Sequence, residues 1–92
     1  MDLNTEFNTE VKFFNATWCG PCQQMKPHVD KLNKEGYSIE SVDIDENPTL
    51  AESANVRGVP TIAIYENGKL VESIVGYQDK DFLQKKIDVY KK

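Results

Sequence analysis

The spacing of apolar residues changes repeatedly along this chain, and the changes mark out seven elements. Val11-Lys12-Phe13-Phe14-Asn15 is a short β-prone run that reads as a strand. Met25, Val29 and Leu32 then recur at helical spacing, with Gly36 as a stop. Pro21 suits the first turn of that helix, where its missing N–H would have had no partner, and Pro27 predicts a kink by removing one backbone bond. Tyr37 to Ile44 predicts a second strand, although its apolar positions change parity midway, from Tyr37 and Ile39 to Val42 and Ile44. Asn47-Pro48 opens a short helix through Ala54, with Asn47 as candidate cap. Thr61 to Tyr65 and Leu70 to Val75 flank Asn67-Gly68, the strongest short-range hairpin signal. Asp79 can cap a last helix carrying Leu83, Ile87 and Tyr90 on one stripe.

The order strand, helix, strand, helix, strand, strand, helix predicts the α/β class. A parallel strand–helix–strand unit followed by a hairpin and a covering helix gives a mixed sheet with helices on both faces. Ninety-two residues make one domain, residues 1–92, with 39% hydrophobic and 28% charged content. The net charge of −4 argues against a nucleic-acid partner, which asks for a basic face. No run approaches the ~18 consecutive apolar residues of a membrane span. Met1 to Glu6 lacks the basic and apolar regions of a signal peptide, which fits a cytoplasmic protein, with a processed secreted chain as the alternative. Lys91-Lys92 reads as a frayed helix end.

The two cysteines of the chain lie in Trp18-Cys19-Gly20-Pro21-Cys22, at the carboxyl end of the first strand, where open α/β sheets place their sites. Two intervening residues bring both sulfurs within reach of one disulfide across the first turn of a helix. Free N–H groups there favour a thiolate. A thiolate attacks disulfides, and a second cysteine one turn on can release the mixed disulfide. The run therefore reads as a dithiol/disulfide exchange centre. A pair of inert buried thiols and a zinc half-site are the blander readings. Zinc prefers four ligands, and the single histidine, His28, lies six residues past Cys22 and about 9 Å further along the helix. His28 reads as a surface helix residue, Arg57 as solvated, and Glu66, Lys69 and Glu72 as solvated hairpin charges. Asp43-Ile44-Asp45-Glu46 reads as a strand end leading to a helix cap rather than a metal loop.

From Val11 to Tyr90 the chain resembles the thioredoxin family. The resemblance rests on Ala16-Thr17-Trp18-Cys19-Gly20-Pro21-Cys22, Pro27, Asp43-Ile44-Asp45-Glu46-Asn47-Pro48, Val56-Arg57-Gly58-Val59-Pro60-Thr61, Asn67-Gly68 and Val75-Gly76. It implies a thioredoxin-like fold: three layers about a central mixed sheet of about four strands, with the family's N-terminal strand and helix truncated. It implies Cys19 as exposed attacking thiolate, Cys22 as buried resolving thiol, and Gly20 and Pro21 as support between them. The Val59-Pro60 bond is expected to be cis, with Pro60 against the cysteines and Val59 offering backbone groups to an extended substrate. Gly76 leaves room for that segment, and Trp18 supplies an apolar contact surface, with simple core filler as its alternative.

The implied activity is reduction of protein disulfides by a monomer without a bound cofactor, recycled by an NADPH-dependent thioredoxin reductase. A glutathione-coupled, glutaredoxin-like redoxin is one alternative, suggested by the short N-terminus and by Gly76-Tyr77-Gln78-Asp79. A non-catalytic binding subunit is another. The family's buried charge pair is missing: Phe13 stands where the family carries a buried acid, and Ser41 where it carries the paired lysine. Losing both together avoids a buried unpaired charge. Asp43 is the nearby acid that could take the proton from Cys22, and Asn15 replaces a common aromatic.

Overall fold

The computed structural model describes residues 8–90. Its elements run β1 (Thr9–Asn15), α1 (Gly20–Lys34), β2 (Ile39–Asp43), α2 (Pro48–Ser53), β3 (Thr61–Glu66), β4 (Lys69–Val75) and α3 (Lys80–Tyr90). The readings made for Met1 to Glu6 and for Lys91-Lys92 lie outside the described residues. The sheet order is β2-β1-β3-β4. β1 pairs parallel with β2 and antiparallel with β3, and β3 pairs antiparallel with β4. The mixed sheet expected from element order is therefore present, with β1 at its interior.

One face of the sheet carries Val11, Phe13, Ile39, Ile62, Ile64 and Ile74, packed in one cluster with Met25, Val29 and Leu32 of α1 and Leu83 and Ile87 of α3. The opposite face holds a smaller cluster of Phe14, Val42 and Ala63 with Ala51 of α2 and Ala54 just beyond it. The parity change in the second strand now has its cause. Ile39 belongs to the first cluster and Val42 to the second, so β2 feeds both layers. Tyr37 stands before β2 instead of in it, because Ser38 takes a left-handed φ of 57° and Asn33 bonds both backbone groups of Ile39.

Gly36, at φ 94°, ends α1 in a Schellman arrangement: Tyr37 N–H donates to Leu32 C=O at 3.1 Å and Gly36 N–H to Asn33 C=O at 3.0 Å. α1 continues through Pro27. Asn67 and Gly68 both have positive φ, 53° and 84°, as a two-residue hairpin of this twist requires. Asp79 caps α3, its carboxylate accepting from Phe82 N–H at 3.0 Å. Asn47 does not cap α2 with its side chain. Its amide donates instead to Asp43 C=O at 3.2 Å, back to the end of β2.

Candidate active site

β1 ends at Asn15, and Cys19 N–H then closes a turn onto Ala16 C=O at 3.2 Å. Cys19 is the N-cap of α1: its backbone is still extended, at φ −92° and ψ 110°, while its C=O accepts from Gln23 N–H at 3.2 Å. Its sulfur accepts from Cys22 N–H at 3.1 Å, one of the N–H groups a helix start leaves without a backbone partner. Cys19 and Cys22 are joined as a disulfide with their Cα atoms 5.2 Å apart, inside the span such a bond needs. The residues expected as exposed and buried sulfurs are in fact both buried, Cys19 at 5% and Cys22 at 1%. Bonded to Cys22 and folded onto the helix start, Cys19 keeps only the larger remnant of accessibility.

Trp18 is 66% exposed, so it is not core filler. Its indole N–H donates to Asp45 Oδ2 at 2.9 Å, which ties the ring beside the sulfurs to the loop after β2. On the other side the Val59-Pro60 peptide is cis, as the resemblance implied. Pro60 is buried, and half-buried Val59 packs against the cluster that contains both cysteines. Gly76 N–H donates to Pro60 C=O at 2.8 Å, joining the loop after β4 to the cis-proline. With φ at +101°, position 76 suits glycine, and a Cβ there would project into open space. Gly20 and Pro21 are exposed over the first turn, and Val75 and Tyr77 present apolar surface on either side of Gly76. Cys19, Cys22 and Val59 thus share one cluster, Pro60 and Gly76 are bonded to each other, and Trp18 flanks the pair.

Phe13 is buried in the cluster that holds Cys22, and Ser41 is its partner across β1 and β2. Ser41 accepts from the Asn15 amide at 2.9 Å, so an uncharged hydrogen bond occupies the end of this strand pair. Asp43 is committed elsewhere: its Oδ1 accepts from the N–H groups of Asp45 at 2.8 Å and Glu46 at 3.3 Å. Three side chains matter more than their sequence positions suggested. Asp45 holds Trp18, and its only signal was a place in the loop after a strand parallel to the first. His28, expected on the surface, is half-buried and bonded to Tyr77 and Lys80. Glu72, expected to be a solvated hairpin charge, accepts from Lys86 Nζ at 2.9 Å and Tyr90 Oη at 2.6 Å. Packing of α3 against β4 supplies both partners.

The family described as Thioredoxin matches residues 3–89. The chain belongs to the thioredoxin family. A thioredoxin of Listeria monocytogenes is 39% identical over 80 residues, covering 84% of this chain and 78% of that protein. One from Staphylococcus aureus is 36% identical over 90 residues, covering 95% and 86%. Among solved structures, a mutant thioredoxin from Halobacterium salinarum superposes with a TM-score of 0.85 at 40% identity, covering 91% of this chain and 75% of that one. Fasciola hepatica thioredoxin gives 0.84 at 32% identity, covering 91% and 82%. The thioredoxin-like fold read from the sequence is thereby established, and with it protein-disulfide reduction by dithiol exchange. Cys19 and Cys22 are the redox-active pair, and disulfide-containing proteins are the substrate class. Among the described residues no helix is long and apolar enough to cross a membrane.

Proposed function

We propose that Cys19 is the attacking sulfur of a general protein-disulfide reductase and Cys22 the resolving one. The observation that carries this assignment is the position of Cys19 as N-cap, its sulfur facing the Cys22 N–H. In the reduced protein the same N–H groups stabilise a Cys19 thiolate. That thiolate attacks one sulfur of the substrate disulfide, and the other sulfur leaves as a thiolate and takes a proton. Cys22 then gives up its proton and attacks the Cys19 sulfur. The second substrate thiolate leaves, and two electrons have passed to the substrate as the Cys19–Cys22 bond forms.

With Phe13 and Ser41 in the acid and lysine positions, the Cys22 proton goes to water or to the departing thiolate. Val59 offers its backbone to an extended substrate segment, Gly76 leaves that segment space, and Trp18 covers its flank. Gly20 and Pro21 shape the turn, and Pro60 closes the groove. In this reading the protein works in the cytoplasm and is returned to the dithiol by an NADPH-dependent thioredoxin reductase.

Two measurements test it. Cys22→Ser is expected to accumulate a mixed disulfide at Cys19, seen by peptide mass spectrometry, whereas Cys19→Ser traps none; trapping through Cys22 would reverse the roles. Equilibration against redox buffers is expected to place the couple near the reference value of about −270 mV for thioredoxin. A value at or above roughly −200 mV would replace the reductase-fed reading with a glutathione-coupled one.

A further inference from the structure

His28 sits on α1, the helix that starts at the cysteines, and reaches across to the loop between β4 and α3. Its Nδ1 accepts from Lys80 N–H at 3.1 Å, and its Nε2 lies 3.0 Å from the Tyr77 hydroxyl. A backbone N–H can only donate, so Nδ1 is the bare nitrogen and Nε2–H donates to the Tyr77 oxygen. The two rings meet edge to face, centroids 5.9 Å apart and planes at 72°. Both ring nitrogens are therefore spent on Tyr77 of that loop and on Lys80, the first residue of α3. That loop begins at Gly76, whose N–H is bonded to Pro60 C=O. A second bridge, Lys80 Nζ to Glu35 Oε2 at 3.0 Å, joins the start of α3 to the residue just past the end of α1, further from the site.

We propose that His28 is a positioning residue for disulfide exchange with protein substrates. It fixes residues 76–79 relative to α1, so that the Gly76 backbone and the Tyr77 ring stay in register with Pro60 and the sulfur pair. Without it, the loop keeps its bond to Pro60 at one end and the packing of α3 at the other, and loses the contact that ties Tyr77 and the Lys80 N–H to α1. The proposal rests on the reading above that Val59, Pro60 and Gly76 line the docking groove. It predicts a specific division of effects: docking of a folded or extended polypeptide weakens, while the reactivity of the sulfurs stays as it was.

Steady-state reduction of insulin with dithiothreitol as electron donor, compared with single-turnover reduction of the small disulfide dithiobis-nitrobenzoate by the pre-reduced protein, separates the two. His28→Ala is expected to raise KM for insulin roughly three- to tenfold, the value of one or two hydrogen bonds, with kcat and the small-disulfide rate within about twofold of wild type. Tyr77→Phe is expected to give a smaller rise in the same KM. His28→Asn, whose amide oxygen can take the place of Nδ1 opposite Lys80 N–H, is expected to recover much of the loss. An unchanged insulin KM in His28→Ala would overturn the proposal. So would a parallel fall in the small-disulfide rate, or an Asn variant no better than the Ala one. Wild-type protein that reduces the small disulfide but not insulin would overturn the docking reading, and the proposal with it.

Discussion

Phe13 stands where the resemblance to the family implies a buried acid, and the departure is a matter of charge. It is 1% exposed, packed with Cys22 and Met25, and paired in register with Ser41. Phe13→Asp is expected to cost about 3–5 kcal/mol in urea denaturation, since it deletes a buried ring and leaves a carboxylate without a partner. Adding Ser41→Lys should return at least about 1 kcal/mol of that, because the two positions face each other across β1 and β2. A double variant no more stable than Phe13→Asp would show that the pair does not couple. Both positions could be found in the sequence by their distance from Cys19 and from Asn47-Pro48. That Asn15 bridges to Ser41, and that Asp43 spends its carboxylate on the next loop, could not. Side-chain partners at strand ends depend on which strand lies alongside, and spacing along one chain does not say.

Among the elements, the hairpin was legible and the seating of α3 was not. Asn67-Gly68 between two β-prone runs requires positive φ, which only a few residue types tolerate, so a local signal suffices. Gly68→Ala is expected to lower stability by about 1–2 kcal/mol, read as a shift of the urea midpoint, because alanine is strained at a φ of 84°. α3 shows its apolar stripe in sequence, but its polar anchorage to β4 runs through Glu72, Lys86 and Tyr90. The Tyr90 hydroxyl and the Lys86 ammonium hold the Glu72 carboxyl below its ordinary range, and the Glu72 carboxylate holds the Tyr90 phenol above its own. A lowered carboxylate contributes stability that is complete above about pH 4.3 and is lost as pH falls through the folded value. A raised phenol contributes stability below about pH 10 that is lost as pH rises through its folded value. Tyr90→Phe is accordingly expected to lower stability at neutral pH, because it deletes the hydrogen bond that Glu72 accepts. That difference should shrink toward zero in strong acid; urea curves at both pH values check it.

At the scale of the whole molecule, the two faces of the sheet are finished differently. α1 and α3 cover one face, while α2 covers the other only around Phe14, Val42 and Ala63. Through Ala63, at the margin of that patch, runs the largely polar register row Glu40, Lys12, Ala63, Ser73, with Lys12 Nζ 2.7 Å from Glu40 and 5.8 Å from the Tyr65 ring centroid. Replacing Lys12 by Ile together with Glu40 by Val would turn the row into an apolar patch. That variant is expected to self-associate in sedimentation velocity at concentrations where the parent sediments as one smaller species. The sequence by itself determined the element order, the hairpin, the helix cap at Asp79, and the dithiol chemistry. Each of these is written in the spacing and type of residues within about one turn of one another. Only the tertiary structure decided that β2 serves two cores, that Cys19 is nearly as buried as Cys22, and that Trp18 is tied to Asp45. It also decided that His28 holds the loop beside Pro60. These depend on which elements come to lie side by side, and contacts between residues far apart in the chain leave no periodicity to read.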